Sequence, residues 1–254
     1  MEVHHHSHSS DPGNHRGRKK WSHYLWEFLM LFLAVTLGFL VENLREHYIE
    51  NKREKQYIQS FYEDLTADEH DLEINIDYLR DQVKKADSLQ MLMKNVTTKQ
   101  PANHIYMFLR EITRSSPGLL YPNDRTIVQL RNAGGMRLIK NKGVSDSMVG
   151  YYRTIGIIQF LSENALDNKK SLREKYIPLL NAEDFAKIVD STSTIINSPD
   201  ILYLRKADPD IINNCLIEVS RIKTLNSTMA IRIRSLKEKA GRIKDFIKHE
   251  YHLE

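Results

Sequence analysis

YLWEFLMLFLAVTLGFLV, from Tyr24 to Val41, is the stretch on which the reading of the whole chain turns. Glu27 is its only charged residue. As a helix this run would reach roughly 27 Å, close to the about 30 Å hydrocarbon core of a bilayer. Trp21 and Trp26, the two tryptophans of the chain, stand with Tyr24 at one end, where an aromatic belt meets lipid headgroups. A cleaved signal peptide would need a shorter apolar core and a small-residue cleavage site. Here the run passes instead into ENLREHYIENKREK. The expectation is an uncleaved single-pass anchor over 21–43, preceded by a disordered His-rich basic tail at 1–20 and followed by a helical soluble domain at 44–254.

Three residues within the span bear on more than anchoring. Glu27 lies about one turn inside the apolar run and either snorkels toward His23 or serves as a hydrogen-bonding group inside a helix assembly. Ala34 and Gly38 are four apart, share a helix face and permit close approach of a second helix. Glu27, Ala34 and Gly38 are therefore the candidates for an intramembrane interaction. Arg16, Arg18, Lys19 and Lys20 crowd the N-terminal flank, whereas Arg45, Lys52, Arg53 and Lys55 lie farther out on the other side. The positive-inside tendency then places the N-terminus in the cytoplasm and residues 42–254 on the other side of the membrane.

From Phe39 to Gln100 there is neither Gly nor Pro. Apolar residues recur at Ile58, Phe61, Leu65, Leu72, Ile76, Leu79, Val83 and Ala86, in steps of mostly three and four, with a skipped place near Asp68. That is helical periodicity close to a heptad seam, and it predicts that the anchor continues into a long helix ending near residue 95. A short helix is expected over Asn103–Ser115, then turns at Ser116-Pro117-Gly118 and Tyr121-Pro122-Asn123-Asp124. Asp124 suits the N-cap of a helix ending at Gly134-Gly135. Ser145 is read as the cap of the next long helix, reaching about Tyr176 and stopped by Pro178. Asn181–Asp190 reads as one more short helix. Asp208 as N-cap and Pro209 at the first helical position mark the last one, whose apolar seam runs from Ile212 through Cys215 and Leu225 to Ile247, with Asn226 at its border. The fold class is all-α: a transmembrane helix continuing into an elongated antiparallel helical bundle.

Charge predicts the pairing. Glu63, Asp64, Asp68, Glu69, Asp71 and Glu73 form an acidic block, and nine Lys or Arg lie between Arg221 and Lys248 against Glu238 and Asp245. If the last helix returns antiparallel to the first, the acidic block falls opposite about 227–241. Exposed pairs contribute little energy but select partner and direction.

Composition removes several classes. One Cys cannot form an internal disulfide, and a formal net charge of +4 is small for a nucleic-acid binder. No P-loop, dinucleotide fingerprint or Gly-x-Ser-x-Gly elbow is present. In His249-Glu250-Tyr251-His252 the histidines are three apart, not the four that a zinc helix requires. Cys215 sits on the apolar seam and reads as core. No cofactor or metal is implied, and an enzyme is not expected. The stretch 121–152 is dense in turn signals, Gly, Arg and Tyr, so Arg131, Arg137, Tyr151 and Tyr152 are the candidates for a ligand or partner surface.

Around these residues the chain resembles a bacterial family of single-pass membrane proteins of unknown function. Glu27, Gly38 and Asn43 would match that family's opening, and Gly134, Leu138, Ile139, Asn141, Tyr151 and Tyr152 its centre. The His-rich tail departs from the usual opening. The resemblance implies a bacterial, membrane-anchored helical protein, whose orientation would put the soluble domain in the periplasm on the inner membrane, and it supplies no catalytic residues. The reading is a non-catalytic interaction or scaffold protein of the cell envelope. Its partners would be the bilayer and a protein or second copy, and not nucleic acid. The alternatives are a ligand-binding sensor with a pocket near 121–160, a membrane-tethered enzyme, and a cytoplasmic nucleic-acid binder using the last helix.

Overall fold

With no Gly or Pro to interrupt it, the segment after Phe39 stays helical, and one helix, α1 (Trp21–Met93), runs through both the apolar and the charged parts of the sequence. The computed structural model describes residues 21–114 and 120–253. The His-rich tail and the Ser116-Pro117-Gly118 turn fall outside the described residues. The remaining helices are α2 (Asn103–Thr113), α3 (Arg125–Asn132), α4 (Lys142–Tyr176), α5 (Ala182–Ala186) and α6 (Pro209–Tyr251), with short 3₁₀ turns at Gly135–Leu138 and Ile177–Leu179. Among the described residues there is no strand, only the isolated bridges Pro101–Tyr203 and Val189–Ile195. The all-α class is as expected. Backbone contacts divide the chain into two units, one ending at Lys52 and one starting at Arg53.

In the first unit every apolar side chain from Tyr24 to Val41 is exposed. It is the one described segment long and apolar enough to cross a membrane. Polar groups on this helix find partners along its own length, His23 with Glu27 at 3.2 Å and Arg45 with Glu42 at 2.5 Å.

The second unit is a bundle of the later part of α1 with α4 and α6. Its core has two regions. The first gathers Phe61, Leu65 and Leu72 of α1, Tyr151 and Ile155 of α4, and Ile233 and Leu236 of α6. The second gathers Leu89 of α1, Leu109 of α2, Leu172 of α4 and Cys215 of α6, with Ile188, Leu202 and Leu204 from the connecting segments. Burying one such large apolar side chain stabilises the fold by roughly 1.5–3 kcal/mol. The seam of α1 passes through Gln82, with Val83 only half-buried, so the expected apolar position is polar there. Likewise Asn226, not Leu225, takes the buried place on α6.

The long helices meet as charge predicts, with a shifted register. Lys244 Nζ lies 2.7 Å from Glu69, Lys237 Nζ lies 2.5 Å from Glu73, and Lys223 pairs with Asp87. α6 is thus antiparallel to α1. The partner of Glu69 lies beyond the expected 227–241 window, because α6 does not begin level with the end of α1. Lys94 and Val96, beyond that end, line one surface with Ala207, Pro209 and Ile212 at the start of α6.

Helix ends explain the other boundaries. Asp208 accepts from the backbone N–H of Asp210 and Ile211, with Pro209 in the first turn, as expected. Gly134 has φ +61°, the left-handed conformation that ends α3. The cap of α4 is Asn141, whose Oδ1 accepts from Val144 N at 3.1 Å, not Ser145, which lies inside the helix. Gly143 follows within the first turn because a Cβ there would stand 3.1 Å from the ring of Phe246 on α6.

Candidate functional site

The inward face of α1 carries acids among its apolar residues. Glu54, Asp64 and Asp68 are all buried on the face that holds Ile58, Phe61, Leu65 and Leu72. Each meets donors from the corner between α2 and α4. Asp64 Oδ2 accepts from Thr126 N at 3.1 Å and from Thr126 Oγ1 at 2.5 Å, while Arg125 approaches Oδ1 at 3.2 Å. Thr126 lies in the first turn of α3, so a carboxylate from α1 satisfies an open N–H of another helix. Asp124 occupies the N-cap position as expected, yet its side chain makes no capping bond.

Asp68 holds the turn before α3. Its Oδ1 accepts from both Asn123 N and Asn123 Nδ2 at 2.8 Å, and its Oδ2 accepts from Tyr151 OH at 2.8 Å. Burial pushes the Asp68 carboxyl above its ordinary value, against the opposing pull of the Asn123 donors. Burial, followed by the neighbouring Asp68 charge, pushes the Tyr151 hydroxyl up as well. Glu54 Oε1 accepts from Lys140 N and from Tyr251 OH, both at 2.7 Å, tying the start of α4 and the end of α6 to α1. Asn141 Nδ2 adds a bond to Glu250 at 2.8 Å. These carboxylate oxygens are taken by fixed donors. The arrangement fastens a corner of the bundle.

This corrects the expected ligand or partner surface. Tyr151 and Tyr152 are buried, their rings 5.4 Å apart and edge-on, with Phe61 packed against both. Tyr152 OH donates to Asn123 O at 2.8 Å. Arg131 and Arg137 are exposed, so the four residues do not share one face. The tyrosines turn inward because the buried Asp68 and the carbonyl of Asn123 give their hydroxyls acceptors at the ends of apolar rings. Ile139 is buried and Leu138 half-buried, the alternative packing of this stretch. In the first unit Glu27, Ala34 and Gly38 are all exposed, and nothing lies within 4 Å of where a Cβ on Gly38 would sit.

Of the acids at the corner, sequence reading assigned Asp64 and Asp68 to the pairing with α6, and it gave Glu54 no role. The one signal was the skipped place in the seam, where Asp68 fills a position that should be apolar. No family model, characterised protein or solved structure matches the chain. The functional reading therefore rests on the residues themselves.

Proposed function

We propose that this is a membrane-anchored, non-catalytic interaction protein of the bacterial cell envelope, with the unit from Arg53 onward held in the periplasm. The observation that carries the reading is the run from Tyr24 to Val41, in which every apolar side chain is exposed. An apolar surface of that length and contiguity is costly in water and is matched by lipid. The basic flank of Arg16, Arg18, Lys19 and Lys20 supports a cytoplasmic N-terminus. The non-catalytic part is supported by two features. Asp64 and Asp68 accept on both carboxylate oxygens from donors that hold the corner of the bundle. Cys215 is buried, and burial pushes its thiol up to about 11, so it stays protonated and a poor nucleophile at neutral pH.

The test is impermeant protease added to cells whose outer barrier is opened and whose inner membrane is intact. Cleavage within 53–254 without detergent is the expected result. Protection until detergent is added would place this unit in the cytoplasm and overturn the orientation.

A further inference from the structure

A second polar site lies away from the corner and owes nothing to the membrane reading. Arg110 and Arg114 are four apart on and just beyond α2, and Lys169 and Arg173 are four apart on α4. Those spacings put each pair on one helix face. The two helices pack through Leu109, Ile112, Leu172 and Tyr176, so the cationic faces are brought together. Arg110, Arg114 and Arg173 line one cavity of about 410 Å³. It lies outside the 121–160 stretch where sequence reading looked for a pocket.

The cavity has hydroxyls as well as guanidinium groups. Thr113 and Tyr176 line it, their oxygens 3.4 Å apart. Ser193 lines it from a turn in which it holds φ +63°, a strained conformation for a residue with a Cβ. Asp190 fixes that turn, its Oδ1 accepting from Thr192 N, Thr192 Oγ1 and Thr194 N. Phe185 and Ile195 supply apolar wall. Arg110 is already oriented, its guanidinium 4.6 Å over the Phe185 ring. Lys169 caps the end of α2 through the carbonyl of Arg114 at 3.2 Å. Its ammonium is held below the ordinary lysine value by burial and then by the charge of Arg173. No carboxylate lines the cavity among the described residues.

We infer that this cavity binds a small organic anion, with a phosphate or carboxylate group set among Arg110, Arg114 and Arg173 and an apolar body against Phe185 and Ile195. Guanidinium forks match such oxyanions in geometry as well as charge, and the volume is that of a metabolite-sized site.

The test is calorimetric titration of the full chain in neutral detergent, at constant ionic strength, with phenyl phosphate, benzoate and phenol. Saturable binding of phenyl phosphate or benzoate, with none for phenol, is expected. Arg114→Gln changes an exposed side chain and should leave the unliganded melting temperature unchanged while weakening anion binding at least about tenfold. Arg173→Gln should weaken it similarly. Competition by dioctanoyl phosphatidate would trace the oxyanion to a lipid headgroup, and failure to compete would trace it to a soluble metabolite. Absence of saturable binding for both anions, or affinity unchanged in both variants, would overturn the inference. Neither result would bear on where the protein resides.

Discussion

Phe39 and Phe61 stand in the same helix, yet Phe39 is 72% exposed and Phe61 is fully buried. The difference lies in pattern, not in residue type. Around Phe39 the apolar residues run without interruption and circle the helix, which suits a solvent that is apolar on all sides. Around Phe61 they recur in steps of three and four beside charged residues, which suits a partner on one side and water on the other. The bundle supplies the partner for the second pattern. Lipid is the partner proposed for the first.

The comparison breaks most visibly if the two phenylalanines respond alike to truncation. Phe61→Ala should destabilise the bundle by about 3–5 kcal/mol, whereas Phe39→Ala should leave its unfolding unchanged within about 0.5 kcal/mol. Urea unfolding of both variants in neutral detergent, followed by tyrosine fluorescence, would separate them.

Acids draw the same contrast at smaller scale. In the first unit Glu27 keeps company with His23 on its own helix, while Asp64 caps a helix that arrives some sixty residues later in the chain. Asp64→Ala leaves the buried Thr126 N–H without its acceptor, while Thr126 Oγ1 keeps Ser60 Oγ at 2.9 Å, and should cost about 1–3 kcal/mol. Thermal unfolding would show it, together with faster amide exchange in α3.

How legible this was depended on the distance to the partner. The start of α6 was readable because Asp208 and Pro209 act on their own first turn. The direction of α6 was readable because its cations complement the acids of α1. Its register was not, since the start of α6 stands beside Lys94 and Val96, beyond the end of α1, and nothing in the residues of α6 sets that offset. The cap of α4 was misread because Gly143 looks like a break, when its missing Cβ makes room for Phe246 of another helix. The acids that hold the corner were visible only as a gap in the seam at Asp68. Their donors, Asn123, Thr126, Lys140, Tyr151 and Tyr251, are far away in sequence, and so is the inward turn of Tyr151 and Tyr152 that follows from them. The Arg-lined cavity has the same character. Each i,i+4 cation pair is readable alone, but only the packing of α2 on α4 joins them.

A finer test of the contrast uses pH. The Asp68 carboxyl titrates above its ordinary value in the folded chain, so the folded state holds a proton that the unfolded state releases. Stability from this group is full below the ordinary aspartate range and is lost as pH rises through the folded value. The advantage of the wild type over Asp68→Asn should therefore be greatest near about pH 4 and shrink toward neutrality. Melting temperatures of the two proteins across that range would check it, and an advantage growing with pH would contradict it.

The most direct measurement of the central claim is flotation of the full-length protein with phosphatidylcholine vesicles after an alkaline carbonate wash. The account predicts that the protein rises with the vesicles, because the exposed run from Tyr24 to Val41 is embedded in lipid. Recovery of a soluble, monodisperse protein at the bottom of the gradient, without detergent, would contradict it.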